Sequence, residues 1–507
     1  MIAKTTSIIP LGFSAAEIKV EGAKNNGLPS FNIVGMGSRT ISEARERVKS
    51  AIKSSGFSFP SQKLVINLAP ADLEKDGSLL DLPIAINVLI LAGELQQKDI
   101  EGCAFVGELS LDGSLNPVRG IINIVEAAKK LGIRDLFIPV KNFTQAKIIS
   151  GVHLIPANTL SDIFLHLKKQ LVISPPPNVV KNTNTDISTT DLPFPTLDQI
   201  KGQAIAKRAL SIAIAGRHNI LLSGPPGTGK TMLAKSSLGL LPPLDITEQI
   251  SITKLHSLAG TTTHIIKDRP FRTPHHTSSL ASLIGGGAKA TPGEISLAHL
   301  GVLFLDELPE YPRSHLESLR QPLEDHEVTI SRAKTKVVYP ADFMLIATMN
   351  PCPCGYLGDP SHSCTCTNTR IANYQRKLSG PLLDRIDLFV EIERPKASDL
   401  LSNSSPSTSL RHDVVKNTVT DAIAIQHQRY QDQHTFNSYA SAHSITENFS
   451  LSKSAESLLN SASSRLNLSA RSYFKLIKVA RTIADLEKSN SILDSHIAEA
   501  LTYRRKN

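Results

Sequence analysis

Residues 224–231 read Gly-Pro-Pro-Gly-Thr-Gly-Lys-Thr, set between the apolar run Asn219-Ile-Leu-Leu-Ser223 and the helix-forming run Met232-Leu-Ala-Lys235. This order constrains the fold more tightly than any other stretch. A buried strand must end in a glycine-rich turn that opens at once into a helix. Such a turn wraps phosphates: Gly224, Pro225, Pro226, Gly227, Thr228, Gly229, Lys230 and Thr231 form its wall, with backbone N–H groups and a helix N-terminus turned toward the anion. Lys230 is expected to hold the outer phosphates and the Thr231 hydroxyl to ligate Mg²⁺. The pattern therefore predicts ATP and Mg²⁺ as cofactors.

A second buried strand, Val302-Leu-Phe-Leu305, ends in Asp306-Glu307. Asp306 is placed to hold Mg²⁺ through water, and Glu307 to polarise an attacking water. A third, Phe343-Met-Leu-Ile-Ala-Thr-Met349, ends at Asn350, whose amide can orient that water near the γ-phosphate. Taken alone, Asn350 reads first as a turn residue.

The 507 residues allow two to four domains, and 41% hydrophobic with 20% charged content is ordinary for a soluble globular chain. No apolar run approaches the roughly 18–20 residues of a membrane span. Met1-Ile-Ala-Lys-Thr-Thr6 lacks a secretory pattern, so a cytoplasmic location without a membrane partner is expected. A net charge of +9 is compatible with nucleic acid, although a diffuse excess is usually solvated surface.

Residues 1–168 alternate strand-like and helix-like segments: strands at Phe31–Val34, Leu64–Leu68, Cys103–Val106 and Leu136–Ile138, helices at Thr40–Ser55, Leu82–Leu91 and Ile121–Leu131. Residues 169–192, with Pro175-Pro-Pro177 and an Asn/Thr/Ser/Asp-rich run, read as a linker. A second α/β unit occupies 193–395. Residues 396–507 are helical in pattern, with Ser402–Ser409 as an exposed loop.

Together these motifs resemble an AAA+ ATPase. Ser379-Gly-Pro-Leu-Leu-Asp-Arg-Ile-Asp387 resembles the segment that offers an arginine finger, here Arg385, to a neighbouring subunit's ATP. Ser469-Ala-Arg471 resembles the sensor-2 motif of a helical lid, which makes Arg471 a nucleotide-binding residue by resemblance. A plain Asp384–Arg385 surface pair is the simpler alternative for the finger. Thr273-Pro-His-His276, Pro292-Gly-Glu294, Leu297-Ala-His-Leu-Gly-Val302 and Asn350-Pro-Cys-Pro-Cys-Gly355 are similar to the magnesium-chelatase-like branch, and the whole arrangement to its YifB/ComM family. The fold class implied is multidomain α/β: a Lon-protease-like N-terminal domain, a P-loop core with a parallel sheet, and a C-terminal helical lid.

The Lon resemblance rests on Lys75-Asp-Gly-Ser78 and on Gly107 to Gly120. By register Ile122 stands where the catalytic lysine belongs and Leu79 where the serine belongs. The resemblance thus implies a protease-like fold without protease activity, since a Ser–Lys mechanism needs both groups within reach.

Four of five cysteines fall within fifteen residues, as Cys352-Pro-Cys354 and Cys364-Thr-Cys366. Four thiolates can enclose one Zn²⁺, with His362 as a spare ligand; reduced, partly buried thiols are the alternative. Val328 to Val338 reads as a β-hairpin with Arg332, Lys334 and Lys336 at or beside its tip. Related ring ATPases carry basic hairpins here to contact DNA phosphates, and the insertion from His275 to Lys289 is a second candidate channel loop. The resemblance implies a homo-hexameric DNA motor, working on single-stranded or branched DNA. Its activity would be helicase and branch migration in homologous recombination during natural transformation. A protein remodeller and a magnesium-chelatase-type ATPase subunit are the alternatives.

Overall fold

A computed structural model describes residues 2–35, 38–71, 73, 75, 78–176, 194–287, 290–331, 336–359, 361–394 and 410–505. Most of the expected linker, the Ser402–Ser409 loop, and Arg332 and Lys334 fall outside these residues.

The N-terminal part is built on a seven-stranded mixed sheet. Its strand order is Ser30–Val34, Lys63–Ala69, Ser14–Asn25, Ile2–Leu11, Cys103–Phe105, Asp135–Pro139, His153–Ala157. Ile2–Leu11 and Ser14–Asn25 form a long antiparallel hairpin closed by Gly12 and Phe13. The expected strands and helices are present, with ends shifted by a residue or two: Ser38–Ser54, Asp81–Ala92 and Ile121–Lys130 are the helices. Asp81–Ala92 is buried from Asp81 to Leu91 because its sequence is apolar on every side, which suits only a central helix. Ile122 is likewise fully buried in an apolar cluster.

The second sheet has five strands, all parallel, in the order Phe271–Arg272, Val302–Leu305, Met344–Met349, Ile220–Ser223, Leu388–Glu391. Both faces are covered, as parallel sheets require. Ile220, Leu222, Phe304, Ile346 and Val390 face one cluster, while Leu221, Leu303, Leu305, Leu345 and Ala347 face another. The first of these clusters also contains Val415, Val419, Leu459, Leu476, Ile483 and Ile497. These come from the C-terminal helices His412–Tyr430, Lys453–Leu466, Ala470–Leu486 and Asp494–Thr502. The helical region therefore shares one core with the sheet.

The two sheets meet through the helix Ile246–Ala259. Lys254 Nζ pairs with Glu126 at 2.6 Å and lies 4.1 Å over the Phe13 ring. The Gly120 amide donates to Ser257 Oγ at 3.1 Å, and Gln145 Nε2 donates to the carbonyls of Thr262 and His264, each at 3.2 Å. Among the described residues no helix is long and apolar enough to cross a membrane.

Candidate nucleotide site

The strand order decides which loops become neighbours. The strand carrying Asn350 lies between those carrying the glycine-rich loop and Asp306, so the three motifs emerge side by side at the sheet's C-terminal edge. Gly224 is pinned there: its amide donates to Met349 O at 3.2 Å, and a Cβ would lie 2.3 Å from Ile392 O. No side chain fits against a backbone carbonyl at that distance. Gly227 and Gly229 hold positive φ values of 76° and 85°, which turn the loop into the helix Lys230–Leu240. Lys230 Nζ donates to Pro225 O at 2.9 Å and to Asn350 Oδ1 at 3.2 Å, and burial lowers its pKa.

Thr231 Oγ1 lies 3.4 Å from Asp306 Oδ2. A hydroxyl beside a carboxylate at a helix N-terminus is the donor set a hydrated Mg²⁺ takes. Although their strand is buried, Asp306 and Glu307 are themselves exposed. The buried Thr348 joins them: its hydroxyl donates to Asp306 Oδ1 and accepts the Glu307 amide at 2.9 Å. Glu307 occupies the left-handed region at φ 53°, a strained conformation for a residue with a side chain.

Arg385 and Arg471 are elsewhere. The Asn219 side chain donates to Arg385 O at 2.9 Å, and Asn219 immediately precedes the strand whose far end carries Gly224. That strand is four residues long, so Arg385 sits at the opposite edge of the sheet, roughly 13 Å of strand away from the phosphate loop. Arg385 pairs with Glu324 and not with Asp384 as the simpler alternative had it; Arg471 reaches the same carboxylate at 3.3 Å. The bond from Arg385 holds the Glu324 carboxyl below its usual pKa. Lys475 Nζ donates to Asp384 O at 2.8 Å and Ile386 O at 2.7 Å, bracketing Arg385. An open cavity of about 590 Å³ runs past Glu324, Arg385, Arg471, Lys475 and Lys478.

The basic hairpin pairs Glu327–Ser331 with Lys336–Pro340, and Lys336 is exposed at the last pair before the tip. Its other side packs at the end of the second insertion: Tyr339 donates at 2.7 Å to the carbonyl of Ala290, the next residue after it, and Gly285–Gly286 of the insertion pair with Thr291–Pro292 beyond it. Val337 touches Gly12 of the N-terminal hairpin, whose Cβ would lie only 2.4 Å from Val337 Cγ1. The sulfurs of Cys352, Cys354, Cys364 and Cys366 converge within 4.8 Å of one another. His362 stands outside this group; it bonds Ser361 Oγ at 3.0 Å and stacks on Tyr356.

Family models agree with this arrangement along nearly the whole chain. Residues 196–400 match the magnesium chelatase subunit ChlI, residues 20–142 a further description of ChlI of Mg-chelatase, and residues 410–504 the C-terminal part of the same subunit. The competence protein ComM of Haemophilus influenzae is 41% identical over 500 residues, covering 97% of this chain and 96% of its own. The YifB protein of Escherichia coli is 40% identical, covering 97% and 95%. The chain belongs to the YifB/ComM family. A more distant likeness, 24% over 307 residues, links it to the DNA replication licensing factor Mcm6 of Drosophila melanogaster, over 58% of this chain and 33% of that one.

A YifB/ComM protein is a magnesium-chelatase-like AAA+ ATPase, and the mixed α/β architecture with its parallel sheet and helical C-terminal region is consistent with that fold. Two residues of the site carry no motif. Thr348 announces itself only by strand alternation, which turns its hydroxyl toward Asp306. Glu324 gives no sequence signal at all, because only the fold brings it to Arg385 and Arg471.

Proposed function

We propose that the protein is an ATP-driven DNA motor, a helicase or branch-migration enzyme acting in homologous recombination during natural transformation. The observation that carries this reading is the separation of Arg385 and Arg471 from the phosphate loop by the width of the sheet. Cationic groups at one edge and a phosphate cradle at the other complete a site only when copies stack head to tail, a contact that makes a ring where its rotation closes. A homo-hexamer follows by resemblance.

In this reading Gly224 to Lys230 cradle the phosphates and Lys230 leaves its loop carbonyls for the β- and γ-oxygens. Thr231, and Asp306 through water, would hold Mg²⁺, which would supply positive charge to offset that of the phosphates. Glu307 accepts the proton of a water that Asn350 orients. Arg385 of one copy, with Arg471 beside it, offsets the charge that develops on the neighbour's γ-phosphate. Glu324 holds both arginines in register until then. The hairpin bearing Lys336, together with Arg332 and Lys334, tracks DNA phosphates. The relatives' names support this step: a competence protein over 97% of this chain and a replication licensing factor over 58% of it.

The N-terminal layer is read as a Lon-like fold without protease activity. Ile122 is buried among apolar side chains where a base is required, and the Ser78 hydroxyl donates to Glu108 rather than to an amine. A second reading, a magnesium-chelatase-type subunit, is favoured by the three family models, one of which reaches into the N-terminal layer.

Hydrolysis measured with no DNA, single strands, duplex and a four-way junction separates the two. A DNA motor shows stimulated turnover, greatest with branched or single-stranded DNA, and loses the stimulation when Lys334 and Lys336 become Ala. Lys230→Ala abolishes hydrolysis in either case. A rate indifferent to DNA sinks the motor reading and leaves the chelatase or remodelling roles.

A further inference from the structure

The cysteine group lies against the phosphate cradle. Cys352 Sγ is 3.4 Å from that of Cys354 and 3.6 Å from that of Cys364, and Cys354 to Cys364 is 3.6 Å. Zn–S bonds of about 2.3 Å in a tetrahedron place sulfurs about 3.8 Å apart. The four sulfurs thus occupy one ion's coordination shell. The backbone is turned to hold them: Gly355 N donates to Cys352 O at 3.0 Å and Cys366 N donates to Cys364 Sγ at 3.4 Å.

What the group touches gives it a task. Asn350, two residues before Cys352, accepts from Lys230 at 3.2 Å. Gly355, at φ 86°, lies so close to the phosphate loop that a Cβ there would sit 2.8 Å from Pro226 Cδ. On the far side Thr367, next after Cys366, caps the helix Asn368–Arg376 by accepting from Arg370 N at 3.4 Å. Tyr374 on that helix meets the Asn350 backbone amide. The loop between the thiols therefore spans from the tip of the Asn350 strand, past the outer wall of the cradle, to a helix that returns to Asn350.

We propose that Cys352, Cys354, Cys364 and Cys366 bind one Zn²⁺ as four thiolates, releasing their protons, and that the bound ion sets the rate of ATP hydrolysis by fixing Asn350 and Pro226. The ion takes no part in the chemistry. Zinc binding stands on the sulfur geometry alone, while the effect on rate rests on the ATPase reading of the site.

The test uses the full-length protein. Elemental analysis is expected to give one zinc per chain, and Co²⁺ exchanged into the site to give the thiolate charge-transfer and visible d–d bands of a tetrahedral ion. The double variant Cys364→Ser with Cys366→Ser loses both signals, and its kcat falls by about tenfold or more, the scale expected when a positioning group drifts by an ångström. Gly355→Ala guards against a variant that merely fails to fold: it keeps zinc, presses on Pro226, and lowers kcat. Lys230→Ala keeps zinc while losing hydrolysis, so failure of the ATPase reading leaves the metal result intact. A chain that carries no zinc and takes up no Co²⁺ overturns the site. Full turnover after zinc removal, or in Gly355→Ala, overturns the coupling.

Discussion

Thr348 carries no charge, yet it fixes the two carboxylates of the site relative to each other. Its hydroxyl serves Asp306 on one side and the Glu307 amide on the other. Thr348→Val keeps the shape and removes both bonds, leaving a backbone N–H without its partner at a cost of about 1–3 kcal/mol. We expect ATP affinity to stay within a few-fold of the parent and kcat to fall by about tenfold, in line with a lost positioning bond. Equal losses in affinity and kcat would show that Thr348 only supports the fold. A different buried residue sets the response to acid. His299 accepts the Asp342 amide at 3.1 Å and lies 3.1 Å from Ser251 Oγ, and burial lowers its pKa to about 4. The unfolded chain takes up a proton near pH 6.5 that the folded chain refuses until about pH 4. The stability from neutral His299 is therefore complete above pH 6.5 and drains away as the pH falls toward 4. Between pH 7.5 and 5 this amounts to about 2 kcal/mol. Urea midpoints at the two pH values should move less in His299→Asn than in the parent.

At the scale of elements, Lys475 ties the two arginines together. It grips the carbonyls on both sides of Arg385 from the helix that begins with Ala470 and Arg471, so Arg385 is joined to that helix. Lys475→Met should lower kcat by about tenfold with the KM for ATP little changed, since a group that acts in the transition state is displaced while the cradle is untouched. Lys475→Arg should restore part of the rate. On an Arg385→Ala background Lys475→Met should add nothing, and an additive loss would break the link. Sequence made one half of this site plain and hid the other. Loop, strand and helix around Gly224 are local, so their spacing is visible in the chain, as are Asp306 and Asn350 at their strand tips. The Arg385–Glu324–Arg471 cluster joins residues far apart in the chain, whose proximity depends on strand order. The hairpin Ile2–Leu11 with Ser14–Asn25 lies outside the expected elements, although Ile18, Lys19, Val20 and Glu21 alternate as a half-buried strand does. Sharing of a core between the sheet and the C-terminal helices also needed the fold, because amphipathic periodicity marks a buried face without naming its partner.

For the whole molecule, the N-terminal layer is a neighbour of the ATPase sheet rather than a bystander. Phe13 lies under Lys254, and Gly12 against Val337 of the basic hairpin, so the turn Leu11–Ser14 touches both the helix Ile246–Ala259 and the hairpin. On the proposed reading, DNA held by the hairpin through its own phosphates should show affinity that falls linearly in log–log terms with salt. Lys336→Ala should flatten that slope by about one, as expected for one lost phosphate contact. An unchanged slope would remove Lys336 from the DNA path. The placement of cradle and arginines at opposite edges of one sheet has a genetic consequence as well. If Arg385 serves the neighbouring copy as proposed, a copy with Lys230→Ala still lends Arg385 to the next copy, and a copy with Arg385→Ala still presents an intact cradle. Each variant is expected to be inactive alone, but a mixture should regain hydrolysis wherever the healthy half of one meets the healthy half of the other. In a cell carrying both parent and Arg385→Ala alleles, the injury then falls on the adjoining copy, and one faulty gene burdens the product of a sound one.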